Sequence, residues 1–521
     1  MTRDIVYSGP TVSQQSLRAL ARYPDRLAFA WDEGRLTYAA TLDLIGRMQA
    51  VYAARDLARG QRVALLTANR AEGWCAGVAA QACGLAITWL HPMGSLADQQ
   101  DQIEDFEADA LVVDAAGFGD RGGQLAVSSA APRVVLTLGP ASYGHDLVAG
   151  AHAIGTSRPV DLARPGDIAI LNYTGGTTGK SKGVVRRHGN QPASTTVVLA
   201  DFDLPRDPSY LAISPISHVA GTKILPSLMR GGTTHLLRGF DPGQVLATIA
   251  RERINFALLV PTMVYGILDH PGLDDADLSS LELLMYGASP MSPTRLIEGL
   301  ERIGPVFAQL YGQTECYPIS YLSRADHAPA RPERFAACGF PVASCDVALL
   351  DEDGHPVAPG EAGEICARSP YVMDEYWKRP EQTAETLQGG WLHTGDVARA
   401  DEEGCLYIVD RKKDMIVSGG FNIYPREVED ALSTYPGVAS AAVIGVPDPK
   451  WGEAVMAIVV RRPGAEVTAE ALMSQVKAMK GGPHTPKRIE FVDALPLTGV
   501  GKVDKKALRS TYWANQARMV G

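Results

Sequence analysis

The sequence predicts an α/β protein. A large N-terminal domain of helix-covered sheets with a small β subdomain precedes a small α+β C-terminal domain. Three observations predict this. Short apolar runs alternate with helical patterns through most of the first 400 residues. Turn signals crowd together near residue 340. After Asp410 a compact mixed pattern of about 110 residues takes over. The 521 residues are enough for three or four structural units, or two large ones.

In chain order, 62–66, 110–113 and 134–136 read as strands, with helices at 42–55 and 71–80 lying among them. Further strands are expected at 168–171, 235–237, 256–260, 281–285 and 306–310, several running straight into glycine-rich or polar loops. Strand–helix alternation implies parallel sheets, and ligands of such sheets sit beyond the carboxyl ends of the strands. Runs at 347–350, 363–367 and 404–409, bounded by turns such as Asp351-Glu352-Asp353-Gly354, predict the small antiparallel subdomain. Beyond it come a helix at 425–433, strands at 438–444 and 454–460, a helix at 468–479 and a strand at 489–492. The large domain is therefore placed at 1–410 and the small one at 411–521.

Composition excludes several classes. Hydrophobic residues are 46% and charged residues 21%, as in ordinary globular proteins. The net charge of −10 disfavours nucleic-acid binding, which needs clustered Lys and Arg. That charge is uneven: residues 411–521 carry 16 Lys plus Arg against 11 Asp plus Glu, a net of +5, while the rest carries −15. A small basic unit closing over a polyanion is one reading. Seven cysteines occur without a CxxC pair, which disfavours a disulfide framework or structural zinc and points to a reduced cytoplasm. No apolar segment follows Met1-Thr2-Arg3-Asp4, so no signal peptide is expected. The longest apolar run, 257–268, is broken by Pro261, Thr262 and Gly266 and falls short of a membrane span.

The sharpest local feature is Tyr173-Thr174-Gly175-Gly176-Thr177-Thr178-Gly179-Lys180-Ser181-Lys182-Gly183, directly after an apolar run. Glycines turn backbone N–H groups toward an anion, hydroxyls add donors and lysines add charge, a combination suited to polyphosphate. A Walker A loop would need glycine at 174, where threonine stands, so the P-loop NTPase reading fails.

This stretch resembles the phosphate loop of the adenylate-forming superfamily, which includes acyl-CoA synthetases, luciferases and peptide-synthetase adenylation domains. Gly175 and Ser181 depart from the family's usual Ser and Pro; Lys182 matches its lysine. Five more motifs follow in the family's order: Ala288-Ser289-Pro290, Tyr311-Gly312-Gln313-Thr314-Glu315, Thr394-Gly395-Asp396, Asp410-Arg411-Lys412-Lys413-Asp414 with Ser418-Gly419-Gly420 close behind, and the loop Pro496-Leu497-Thr498-Gly499-Val500-Gly501-Lys502.

The resemblance implies a set of roles. Thr174, Gly175, Gly176, Thr177, Thr178, Gly179 and Lys182 would hold the β- and γ-phosphates of ATP. Ala288, Ser289 and Pro290 would flank adenine, Tyr311 would stack on it, and Gly312 and Gln313 complete that segment. Thr314 would reach the α-phosphate, Glu315 would hold Mg²⁺, and Asp396 and Arg411 would hold the ribose. Lys413 would be the hinge of a mobile C-terminal domain, and Gly419 and Gly420 would line a passage for CoA. Lys502 would bridge the reacting carboxylate and α-phosphate. His218 falls at the wall between acyl group and adenylate, where family members carry His or an aromatic residue.

The implied activity is ATP-dependent conversion of a carboxylic acid to an acyl-adenylate and then to acyl-CoA, with AMP and pyrophosphate released. Ser214 to His218 offers no carboxylate for an amino-acid substrate. Gly221, Gly287 and Gly312 suggest room for a bulky or medium-to-long apolar acid, and no pocket Arg or Lys stands out to pair with a second carboxylate. An acyl-AMP ligase loading a carrier protein, a luciferase-like oxygenase and a non-catalytic nucleotide-binding scaffold are the competing readings. A homodimer is a further partner that the family allows.

Overall fold

The computed structural model describes residues 9–32, 34–174, 181–411, 414–418, 421–498 and 501–513, with backbone alone at Arg411 and Asn422. Among the described residues the main strands form four sheets. The first has nine strands. Its parallel centre runs Phe307–Tyr311, Leu283–Gly287, Phe256–Leu259, Ser209–Ala212, Thr233–Leu236 and Leu27–Trp31. The second has eight strands, with Ile168–Thr174, Ala86–Trp89, Arg62–Leu66, Ala110–Asp114 and Val134–Leu138 parallel at its centre. The third is the expected antiparallel sheet of Asp346–Leu350, Gly363–Arg368, Leu392–Ala400 and Leu406–Arg411. The fourth is built wholly from residues 416–492.

The expected helices start where their caps dictate. The helix predicted at 42–55 spans Tyr38–Ala53, because the Thr37 hydroxyl accepts from the Ala40 N–H. The helix predicted at 468–479 spans Ala469–Lys480 behind an equivalent Thr468 cap. The apolar centres of the two large sheets share one core with the helices Val12–Arg22, Tyr38–Ala53 and Ala71–Ala82. The fourth sheet has its own core around Ile416, Val428, Leu432, Val443, Val455 and Val459.

One expectation needs amending: the two large sheets are parallel only in the middle. Gly34–Thr37 pairs antiparallel with Leu27–Trp31 at one edge, and Ser320–Leu322 pairs antiparallel with Phe307–Tyr311 at the other. In the eight-stranded sheet Lys182–Arg187 turns back antiparallel on Ile168–Thr174. These strands follow their neighbours after connections of at most eight residues, too few for the helical crossover that a parallel pair needs.

The parallel centre fixes where a site can form. Four adjacent strands end side by side with their carboxyl ends pointing one way: Ser209–Ala212, Phe256–Leu259, Leu283–Gly287 and Phe307–Tyr311. The segments leaving them carry His218, Thr262, Ala288-Ser289-Pro290 and Tyr311-Gly312 respectively.

Candidate active site

Tyr311 ends its strand, and its hydroxyl donates to Asp396 Oδ2 at 2.7 Å. Gln313 Nε2 donates to the same oxygen at 2.7 Å and to the Thr394 carbonyl at 2.8 Å. Two predicted nucleotide residues, 85 positions apart, are thus locked together. Asp396 is only 4% exposed, and burial, with the Asp396 charge beside it, pushes the Tyr311 phenol well up. The phenol therefore stays a donor, and the ring is held at one angle beside the strand ends. Asp396 pairs across its sheet with Arg411, which brings the second predicted ribose residue into register. Ala288 sits in the left-handed region, with φ +67°, just past its strand. Ser289 is half-buried and Pro290 exposed.

Glu315 is set from a different direction. The Tyr376 hydroxyl donates to its Oε1 at 2.6 Å, and the Met373 N–H donates to its carbonyl at 2.7 Å. The Lys182 ammonium lies 4.8 Å from the centre of the Tyr376 ring. Lys182 and Thr174 face each other across an antiparallel pair. The predicted phosphate loop therefore joins two strands of a hairpin, whereas a Walker A loop leads from a strand into a helix. Gly175, Gly176, Thr177, Thr178 and Gly179 lie outside the described residues, as do Lys413, Gly419, Gly420 and the Arg411 side chain. The Thr314 carbonyl accepts from Arg186, a residue to which the motifs gave no part.

His218 Nδ1 shares a hydrogen bond of 2.8 Å with Ser217 Oγ. Its ring meets His91 edge-on, with centroids 4.6 Å apart. Burial, His91 and Lys502 together push His218 down to about 3, so it is neutral at physiological pH. His91 was not foreseen: it follows the strand Ala86–Trp89, in the other large sheet, and no local motif marks it. Only the docking of the two sheets brings the two histidines together.

Lys502 reaches this place from the C-terminal region. The Thr262 hydroxyl donates to the Gly501 carbonyl at 3.1 Å. The loop is closed internally by Thr498 N–H to the Lys502 carbonyl, 2.7 Å, and Lys502 N–H to Thr498 Oγ1, 3.2 Å. Gly501 has φ +78°, and a Cβ there would meet Val260 Cγ2 at 3.3 Å, so glycine lets the loop lie against the large domain. A further bridge, Arg462 to Glu298 at 3.8 Å, joins the same two regions.

Two expectations about the acyl pocket are corrected. A Cβ at Gly287 would meet the Leu310 carbonyl at 2.7 Å, one at Gly312 would meet the Cys316 carbonyl at 3.0 Å, and one at Gly221 would strike the Ile216 carbonyl. These glycines admit the protein's own backbone and are not evidence of open space. Second, there are basic side chains behind these segments: Arg186 is 8% exposed and Lys223 is fully buried.

Comparison with known proteins finds two matching family models. Residues 17–377 match the model for "AMP-binding enzyme" and residues 427–502 that for "AMP-binding enzyme C-terminal domain". The chain therefore belongs to the AMP-binding, adenylate-forming enzyme family. It is 42% identical over 518 residues to the medium/long-chain-fatty-acid–CoA ligase FadD8 of Mycobacterium tuberculosis, covering 96% of this chain and 90% of that one. Feruloyl-CoA synthase of an Amycolatopsis species is 44% identical over 349 residues, 66% of this chain and 70% of the other. Among solved structures, amide bond synthetase McbA of Marinactinospora thermotolerans superimposes with a TM-score of 0.89 at 34% identity, covering 96% of this chain and all of McbA. ATP-bound MatB of Rhodopseudomonas palustris gives 0.87 at 30% identity, covering 96% of this chain and 99% of MatB.

Proposed function

We propose that the chain converts a carboxylic acid and ATP into an acyl-adenylate and pyrophosphate, then transfers the acyl group to CoA, releasing AMP. The observation that carries this reading is the docking of the Lys502 loop on Thr262, beside His218 and on the strand ends that also bear Tyr311. The names of FadD8 and feruloyl-CoA synthase support an acid–CoA ligase acting on a medium-to-long or bulky apolar acid.

In this reading Tyr311 stacks on adenine beside Ala288, Ser289 and Pro290, with Gly312 and Gln313 completing the adenine segment. Asp396 and Arg411 take the ribose hydroxyls, and Thr314 faces the α-phosphate. Thr174, Gly175, Gly176, Thr177, Thr178, Gly179 and Lys182 take the outer phosphates. The chemistry asks a carboxylate to approach a phosphate, so cations must offset two negative charges. Lys502 supplies one at the reacting oxygens. His218, held neutral, adds no charge of its own and borders the acyl carboxylate. Glu315 suits Mg²⁺: it is a hard oxygen donor with one oxygen anchored by Tyr376 and the other taking no hydrogen bond among the described residues. Mg²⁺ bound there supplies positive charge to the triphosphate.

The triphosphate and an incoming thiol cannot share one approach. The small domain, 411–521, accordingly turns about Lys413, withdrawing Lys502 and presenting Gly419 and Gly420 to CoA. The docked Lys502 loop corresponds to the first half-reaction. Seven buried cysteines, none in a disulfide, suit a reducing cytoplasm. Lys502→Ala is expected to abolish carboxylate-dependent pyrophosphate release yet retain thioester formation from supplied acyl-adenylate. Equal loss of both half-reactions would remove Lys502 from this role. Thioester formation with CoA and purified enzyme separates this reading from a carrier-protein ligase, and absence of any acid-dependent pyrophosphate release leaves only a nucleotide-binding scaffold.

A further inference from the structure

Behind the site lies a cavity of about 150 Å³, a volume that holds a benzene-sized group. Its walls continue the site's own segments. Gly221 and Thr222 follow His218, Tyr317 follows Glu315, and Arg186 lies on the strand that begins at Lys182. The rest of the wall mixes apolar side chains such as Trp74, Val78 and Leu225 with polar ones such as Gln81 and Ser194.

The cavity's polar groups are unusual for a pocket meant for hydrocarbon. Arg186 lines it, is 8% exposed and has no hydrogen-bond partner at Nε, while its Nη2 donates to the Thr314 carbonyl. Lys223 stands just behind the wall, fully buried. Its amine bonds the Thr222 hydroxyl at 3.0 Å and the Tyr317 hydroxyl, and lies over the rings of Tyr317 and Phe202. Among the described residues no carboxylate lies within 4 Å of either cation, although Glu315 and Asp374 act on Arg186 from farther away. A buried cation with no anion beside it is unfavourable and tends to shed its proton where it can. Burial accordingly pushes the Lys223 amine well below its ordinary range. Apolar residues of similar volume at 186 and 223 would avoid that cost, which makes a ligand for these groups the economical explanation.

We infer that this cavity receives the far end of the acyl substrate, and that this end is ring-sized and carries an oxygen held by Tyr317, Thr222 and Arg186, with Lys223 behind them. The inference rests on the acid-activating function proposed above and narrows its substrate to acids with an apolar body and an oxygenated tip. A neutral hydroxyl and a carboxylate share the needed chemistry. A hydroxyl would be met by the neutral amine, a carboxylate by the protonated one.

Three acids of one skeleton test it: 3-phenylpropanoate, 3-(4-hydroxyphenyl)propanoate and 3-(4-carboxyphenyl)propanoate. The readout is kcat/KM for pyrophosphate release, expressed as the ratio of each oxygenated acid to the plain one. The expected ratio for the better oxygenated acid is at least about tenfold, because a site built to bond an oxygen rejects the analogue lacking it. Which acid wins distinguishes the hydroxyl from the carboxylate. Lys223→Met and Arg186→Leu should each collapse the ratio toward unity, and Tyr317→Phe, which keeps the ring, should lower it. The ratio is internal to each preparation, so partial misfolding does not mimic the result. A wild-type ratio near or below one, or a high ratio that all three variants retain, overturns the inference. Melting temperature with each acid alone separates the two layers. Selective stabilisation by an oxygenated acid without pyrophosphate release upholds the pocket and refutes the activity; release without selectivity does the reverse.

Discussion

At the scale of single residues, the site is held by side chains that restrain one another. Asp396 shows this best, since one of its oxygens accepts from both Tyr311 and Gln313. Asp396→Ala would leave the buried Tyr311 phenol without its acceptor and Gln313 with only the Thr394 carbonyl, at a cost of about 1–3 kcal/mol. The expected outcome is a KM for ATP raised by about 10- to 100-fold with the fold intact by circular dichroism. An unchanged KM would take Asp396 out of the nucleotide site. Of these restraints, the motifs exposed Tyr311 and Asp396 as separate candidates, because each sits in a recognisable local string. They did not expose the bond between them. His91, Arg186 and Lys223 fall outside the roles the motifs assigned, and their meaning comes from what other segments bring beside them.

At the scale of elements, strand ends and loops are matched by close approach. Thr262 opens the helix Pro261–Leu268 and holds the Lys502 loop through the Gly501 carbonyl. Thr262→Val keeps the shape and removes the bond, worth about 1 kcal/mol. The adenylation half-reaction should slow by about fivefold, measured by single-turnover pyrophosphate release, while thioester formation from supplied acyl-adenylate keeps its rate. Gly287 is constrained differently. Gly287→Ala would force a Cβ to 2.7 Å from the Leu310 carbonyl on the neighbouring strand. A loss of about 1–3 kcal/mol in urea unfolding is expected. The sequence located strands with a clear apolar run, such as Arg62–Leu66 and Phe256–Leu259, because that pattern is local, but it left Leu27–Trp31, Ala86–Trp89, Ser209–Ala212 and most helices of the first 400 residues unnamed. It missed Lys182–Arg187 as a strand, since Val184 and Val185 are flanked by charges that obscure any alternation.

At the scale of the whole molecule, buried histidines and the charge split make two predictions. His188, His235 and His327 are held down at about 4 and His218 at about 3, by burial first in every case. Their folded values lie below the ordinary 6.5, so the unfolded chain binds protons that the folded chain refuses. Stability is therefore fully present above pH 6.5 and is lost as pH falls from 6.5 toward 4. At pH 5.5 each buried histidine removes ~1 kcal/mol, and the melting temperature should drop steeply between pH 7 and 5. His188→Leu should shallow that drop, because neither ring nitrogen of His188 has a hydrogen-bond partner to lose. An equally steep drop in the variant would assign the acid limb to other groups. The second prediction concerns the +5 of residues 411–521, which on the proposed reading would carry Lys502 toward ATP and then present CoA. Steering of polyanions by such charge weakens with salt, so the apparent KM for both should rise with ionic strength. Flat values would make the asymmetry a surface accident.

The sequence by itself determined the sheet-and-helix architecture, the order of the motifs and hence the family, because each depends on residues close together in the chain. The tertiary structure decided what surrounds those motifs. Packing of the two large sheets set His91 against His218, the return of Lys182–Arg187 placed Arg186 behind Thr314, and the docking of the last loop put Gly501 on Thr262. Gly221, Gly287 and Gly312, which suggested open space in the sequence, proved to be filled by neighbouring backbone. Burial is a property of the assembled chain, and only burial turned an unremarkable Lys223 into a group that calls for a ligand.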